Sequence, residues 1–223
     1  MAKQPQAFMP SRPRVLLADD HTMLLDAFRR LLESECEIVG TATNGRALLE
    51  LATKTKPDVV ILDISMPQLN GIEAAAQLRR KLPRIKVVFL TVNQDPDVAA
   101  EAIRSGASAF LLKSSAAAEL ISSIKLALAG KTYVTPLITK GKPLGIFLDE
   151  SARPATDKLT PRQREVLQLL AEGRLMKEAG DILNLTPRTV AFHKYAMMEK
   201  LGLKTGAELV QYAVEHHIVP PRA

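Results

Sequence analysis

The sequence predicts an α/β domain, a doubly wound five-stranded parallel sheet of the (βα)5 kind, followed by a smaller all-α domain of four helices. Three observations carry this reading. Between Arg14 and Gly130, five short Val/Ile/Leu runs alternate with segments of helical periodicity, as βα units do. The runs are near-continuously apolar rather than alternating, which fits strands buried on both faces. From Leu159 onward the strand pattern stops, and caps and glycines punctuate one helix after another.

Taken in order, strands are expected near residues 14–18, 37–42, 58–62, 85–90 and 108–112. Helices are expected near residues 22–33, 45–55, 71–81, 96–105 and 115–129. Asp95-Pro96 reads as an N-cap followed by proline at the first helical position, and Gly106 and Gly130 read as helix stops. Residues 131–156 hold Pro136, Pro143, Pro154, Gly141 and Gly145 without a sustained period, and read as a linker. Its start, over residues 133–138, is expected to pack, and the Ile146-Phe147-Leu148 patch to dock on a domain face. Residues 1–13 read as a disordered leader rich in Pro, Gln and basic residues; lacking an apolar segment, it is not a secretory signal.

The second domain, residues 157–223, opens on Thr160-Pro161-Arg162-Gln163, a capping box with proline at the first helical position. Val166, Leu167, Leu169 and Leu170 give that helix its apolar face, and Gly173 stops it. A short helix follows near residues 176–183. The turn Asn184-Leu185-Thr186-Pro187 then starts a helix from Pro187 to Leu201 with Thr186 as N-cap, and Gly202 ends it. A last helix is expected from about Thr205 to His216.

The chain has 223 residues, 47% of them hydrophobic and 24% charged, enough for two cores without a covalent or metal staple. Cys36 is the only cysteine, so no internal disulfide can form; a buried, inert thiol and a reducing, cytoplasmic setting are expected. No apolar run approaches the roughly 18 residues of a membrane span. The net charge of +6 is spread evenly, with an excess of +2 in each of residues 1–130, 131–154 and 155–223. Bulk charge therefore does not single out a nucleic-acid-binding domain.

Function is concentrated at strand ends. Asp19-Asp20, Asp63, Thr91 and Lys113 each end or follow an apolar run. In a parallel sheet such ends converge on one rim, where ligands bind near the point of strand-order reversal. Three carboxylates there would repel, and a hard cation such as Mg²⁺ relieves the cost. One carboxylate could then act as a nucleophile toward a phosphoryl donor. Lys113 would neutralise phosphoryl oxygens and Thr91 would donate a hydroxyl hydrogen bond. Taken singly, Asp20 could equally cap the first helix, and Thr91 or Lys113 could be ordinary strand-end residues.

As a set, Asp19-Asp20, Asp63-Ile64-Ser65-Met66-Pro67 with Gly71, Thr91 and Lys113 resemble a response-regulator receiver domain over residues 14–130. The resemblance implies that Asp63 accepts a phosphoryl group from a sensor histidine kinase. It implies that Asp19, Asp20 and Asp63 hold Mg²⁺ with the Ser65 backbone carbonyl, and that Thr91 and Phe110 form a switch pair. Phe110 reads equally well as plain core. It further implies that phosphorylation shifts the face carrying the helices near residues 96–105 and 115–129. Two positions depart from the pattern: Val92, whose bulk could narrow access to Asp63, and Ser114, where many receivers carry proline.

In the tail, a helix, a turn and a second helix over residues 176–201 fit a helix-turn-helix whose second helix enters the major groove. A solvated structural helix and a partner-binding amphipathic helix fit the same pattern. Leu159-Thr160-Pro161-Arg162-Gln163-Arg164-Glu165-Val166-Leu167, Lys177-Glu178, Thr189-Val190, His193 and Lys200-Leu201-Gly202 resemble a LuxR-type DNA-binding domain. With the first domain, the chain is similar to the NarL/FixJ transcription factors. The resemblance implies double-stranded DNA as a partner, a homodimer when phosphorylated or DNA-bound, and DNA contacts at Arg188, Thr189, Ala191, Phe192, His193 and Tyr195. Lys194 and Lys200 are expected on phosphates. Ala179-Gly180 departs from the family, and glycine is expected to weaken its helix by up to about 1 kcal/mol. Ala191 and Tyr195 stand where basic residues are common, which changes base readout.

The expected function is therefore a phosphorylation-controlled DNA-binding transcriptional regulator, not an enzyme. A constitutive DNA binder, a phosphotransferase or hydrolase using the same rim, and a pure protein-interaction module are the competing readings.

Overall fold

The computed structural model describes residues 12–140, 145 and 159–220. The first domain runs β1 (Arg14–Ala18), α1 (Thr22–Leu32), β2 (Glu37–Ala42), α2 (Gly45–Thr55), β3 (Val59–Leu62), α3 (Gly71–Lys81), β4 (Lys86–Thr91), α4 (Pro96–Arg104), β5 (Ala109–Leu112) and α5 (Ala116–Leu128). The strands are all parallel, in the order β2-β1-β3-β4-β5, so the order reverses between β1 and β3. Asp19 and Asp63 lie just past the ends of these two strands, at the crevice where the topology opens.

Each strand serves two cores, because successive side chains point to opposite faces. Leu16, Val60, Val87 and Phe89 meet α2, α3 and α4 through Leu48, Ala52, Ala74, Leu78, Val98 and Ala102. Val15, Leu17, Val59, Ile61 and Val88 meet α1 and α5 through Leu25, Phe28, Leu32, Leu120 and Ile124. Double burial is why these runs carry no polar alternation. Cys36 is a buried free thiol whose pKa burial pushes up, as an inert core residue should be.

The sheet has one strand more than the sequence pattern suggests. β6 (Tyr133–Val134) pairs parallel with β5, and a short helix α6 (Pro136–Thr139) follows. Tyr133 N donates to Ser108 O at 3.1 Å and Thr135 N to Phe110 O at 3.0 Å. The Tyr133 hydroxyl donates to Glu119 Oε2 at 2.9 Å, and burial with that carboxylate lifts its pKa to about 12. The packed start expected at residues 133–138 thus closes the sheet edge. The leader up to Ser11 and the Ile146-Phe147-Leu148 patch lie outside the described residues.

The second domain is α7 (Pro161–Ala171), α8 (Met176–Leu183), α9 (Pro187–Leu201) and α10 (Gly206–Glu215). Thr160 and Gln163 form the expected capping box, and Thr186 Oγ1 accepts from Thr189 N at 3.1 Å. Val166, Leu167, Leu169, Leu183, Val190, Met197, Leu209 and Ala213 share one core. No helix among the described residues is long and apolar enough to cross a membrane.

Gly180 has a role that propensity does not reveal. A Cβ there would lie 2.6 Å from Leu185 O, and Leu185 N donates to Gly180 O at 2.9 Å. The turn between α8 and α9 folds directly onto α8, and a side chain at position 180 would have to push it away. On helix propensity alone, Gly180→Ala should stabilise by about 1 kcal/mol. The close approach reverses the sign: thermal denaturation should give a lower Tm for Gly180→Ala than for the wild type.

Candidate functional site

β1, β3 and β5 deliver three charged side chains to one point. Lys113, in the 3₁₀ turn after β5, places Nζ 2.7 Å from Asp19 Oδ2 and 2.8 Å from Asp63 Oδ2. Both carboxylates are buried, Asp63 to 3% exposure. Burial disfavours the ammonium, but its hydrogen bonds and charge pairing with Asp19 and Asp63 outweigh this and raise the Lys113 pKa. The lysine is thus a fixed cation at the rim. Asp63 Oδ1 accepts from Ile64 N at 2.7 Å. Behind it, Gly71 brings the α3 N-terminus against the Asp63 backbone: a Cβ there would meet Asp63 O at 2.1 Å.

Asp20 is exposed, and it is not the cap of α1; His21 occupies that position. His21 Nδ1 instead lies 2.9 Å from Asp20 Oδ1 and 3.2 Å from Asp19 Oδ1. Among the described residues, Asp19, Asp20 and His21 have ligand atoms within 4.8 Å of one another. Asp63 joins this group through Lys113 rather than directly. Hard carboxylate oxygens from Asp19 and Asp20 suit a divalent cation. His21 was missed in the sequence; its place immediately after the two aspartates was the available signal.

Thr91 is fully buried at the end of β4, and its Oγ1 accepts from Asn93 N at 3.2 Å. Phe110 is also fully buried, its ring 6.5 Å from that of Phe89 in the core between the sheet and α2–α4. Val92 is 69% exposed, so most of its bulk stands in solvent. Ser65 is half-buried and Ser114 exposed.

The loop after Asp63 is held by the second domain. Gln168 of α7, 1% exposed, accepts from Asn70 N at 2.7 Å and donates to Met66 O at 2.9 Å. Gln68, with a left-handed φ of 66°, donates its N–H to Glu172 Oε1 at 2.9 Å. Glu165 accepts from Gln77 Nε2 at 2.7 Å and pairs with Arg46 at 3.2 Å. Arg164 pairs with Glu73, whose pKa burial pushes up against the pull of that guanidinium. At the far end, His217 Nε2 lies 3.0 Å from Asp95 Oδ2 and Nδ1 lies 3.3 Å from Asn93 Nδ2. The second domain therefore touches the loops that follow both Asp63 and Thr91.

α9 turns Val190, Met197 and Met198 inward. Arg188 and Lys200 are exposed, as are Phe192 and Tyr195, at 68% and 62%. Thr189, Ala191, His193 and Lys194 are half-buried along its flanks. The helix face opposite the core thus stays open while α7 is docked.

A doubly wound sheet with an acidic, lysine-bridged rim, joined to a four-helix domain with an open third helix, defines the class of two-domain response regulators. Residues 15–125 match the response regulator receiver domain, and residues 157–213 match the bacterial regulatory proteins of the luxR family. The chain is 35% identical to the transcriptional regulatory protein MctR of Rhizobium johnstonii, over 95% of this chain and 98% of that protein. It is 32% identical to the response regulator GacA of Pseudomonas aeruginosa, over 92% and 97% of the two chains. Among solved structures, it is similar to RcsB of Salmonella enterica serovar Typhimurium bound to promoter DNA with phosphomimetic BeF₃⁻. There the TM-score is 0.60 and the identity 26%, over 92% of this chain and 100% of that one. The chain belongs to the NarL/FixJ family of response regulators, transcription factors with a LuxR-type DNA-binding domain, not enzymes.

Gln168→Ala should loosen the docked domains, because it leaves the buried Asn70 N–H without its acceptor. An unmet buried donor costs about 1–3 kcal/mol. Small-angle scattering of the variant should give a larger radius of gyration than the wild type, with each domain's thermal transition retained.

Proposed function

We propose that Asp63 accepts a phosphoryl group from a sensor histidine kinase and that this charge controls a DNA-binding output. The supporting observation is the shared ammonium: Lys113 already bridges Asp63 and Asp19, at the point where phosphoryl oxygens would need a counter-charge. An Asp63 carboxylate oxygen forms the new P–O bond as the P–N bond of the donor phosphohistidine breaks, and the released imidazole takes a proton from solvent. Asp19 and Asp20, with Asp63 and the Ser65 carbonyl, would hold Mg²⁺, which when bound screens carboxylate and phosphoryl oxygens from each other. Lys113 stays paired to the phosphoryl group, and Thr91 exchanges its contact with Asn93 N for one with a phosphoryl oxygen. Phe110 is the ring that follows Thr91, in the core behind it.

The consequence follows from what the two moving loops touch. Displacement after Asp63 disturbs Met66, Gln68 and Asn70, which grip Gln168 and Glu172. Displacement after Thr91 disturbs Asn93 and Asp95, which face His217. Phosphorylation thus biases a two-state docking equilibrium. On DNA, α9 enters the major groove, with Arg188, Thr189, Ala191, Phe192, His193 and Tyr195 toward the bases and Lys194 and Lys200 toward phosphates. RcsB is seen as dimers bound to DNA. A homodimer on paired half-sites is the corresponding assembly for this chain.

Acetyl phosphate with Mg²⁺ should label the wild type at one site, detected by phosphate-affinity electrophoresis. Asp63→Asn and EDTA should each abolish the label; equal labelling of Asp63→Asn would remove the assignment. DNA affinity should fall with log salt concentration. Lys194→Ala and Lys200→Ala should each make that slope shallower by about 0.9, and an unchanged slope would take that residue off the DNA backbone.

A further inference from the structure

The outward face of α9 is aromatic where a DNA-reading helix is expected to be charged. Arg188, Phe192, Tyr195 and Glu199 share the face opposite Val190 and Met197, by their i, i+4, i+7, i+11 spacing. Arg188 and Glu199 stand at opposite ends of this face and carry opposite charges. Between them stand Phe192 and Tyr195, both exposed.

Both rings are braced by neighbours. Phe192 packs edge-on to His193 with centroids 5.7 Å apart, and Lys194 Nζ sits 5.7 Å from the Tyr195 ring centroid. Held this way, they lose less conformational freedom on binding than unrestrained side chains. Exposed aromatic surface costs solubility unless something covers it. The α7 surface that docks on the first domain lies elsewhere and leaves these rings open.

We propose that Phe192 and Tyr195 read thymine C5-methyl groups in the major groove, so that sequence preference rests on apolar contact more than on charged hydrogen bonding. The inference rests on the reading of α9 as the groove-entering helix. Of the four bases, only thymine presents an apolar group to the major groove. Ala191, beside the rings, has no polar group to compete for that position. Duplex DNA is the occupant because the domain is LuxR-type and Arg188 and Lys200 are exposed beside the aromatic face.

The test uses the full-length chain with Mg²⁺ and BeF₃⁻ to select duplexes from a random-sequence pool. The selected duplex is resynthesised with deoxyuridine in place of thymidine, which removes only the methyl groups. Fluorescence anisotropy should show wild-type affinity falling about fourfold for each contacted methyl, equivalent to about 0.8 kcal/mol. Phe192→Ala and Tyr195→Ala, checked for folding by circular dichroism, should bind the thymidine duplex more weakly and lose most of the thymidine–deoxyuridine difference. Equal wild-type affinity for the two duplexes overturns methyl reading and leaves DNA binding intact. Failure to enrich any duplex overturns the groove-entering reading of α9 itself. Variants that keep wild-type DNA affinity but change self-association in sedimentation make the patch a protein surface, and overturn the proposal.

Discussion

One ammonium shared by two buried carboxylates organises the first domain. Asp19 and Asp63 end neighbouring strands, and both have left water for a setting where an unpaired charge is costly. Lys113 makes that placement tolerable, and it does so from β5, two strands beyond β3. The strand order, the parallel register and the 3₁₀ turn after β5 all contribute to the meeting of the three groups. Extra negative charge at Asp63 would meet a cation already in place.

The second constraint is where the DNA-binding domain rests. Helix α7 and its C-cap Glu172 hold the loop after Asp63 by hydrogen bonds, and several of the bonded groups are buried. Buried polar contacts of this kind depend on direction: a shift of about an ångström costs a hydrogen bond, where an apolar patch would slide. The interface is suited to report a small displacement of the loop. It also leaves the outer face of α9 uncovered, so docking and occlusion of that helix are separate matters in this fold.

Most of the fold was legible because its signals are local. Apolar runs marked five of the six strands, and Asp95, Thr160 and Thr186 cap the helices they were expected to cap. The rim was legible because each of its residues stands at the end of such a run. β6 was hidden because two residues carry no period, and Tyr133–Val134 becomes a strand only through its bonds to β5 and the residues flanking it. Docking was hidden for a different reason. Gln168 and Asn70 lie 98 positions apart, and nothing beside either in the chain marks them as partners. The close contact at Gly180 was hidden because propensity scores a residue within its helix, whereas the atom that a side chain there would meet belongs to the next turn.

The docking surface has a further consequence through connectivity. Lys140 closes the first domain's last helix and Leu159 stands just before α7, so the chain itself ties the two faces together. Tethered modules meet at effective concentrations on the order of millimolar. A contact too weak to hold two separate molecules, with a dissociation constant near 1 mM or about −4 kcal/mol, would already leave this chain roughly half closed. Near such a midpoint, a change of about 1.4 kcal/mol moves the closed-to-open ratio tenfold. Covalent proximity thus lets a modest interface act as a sensitive balance, and a tighter one would blunt the response.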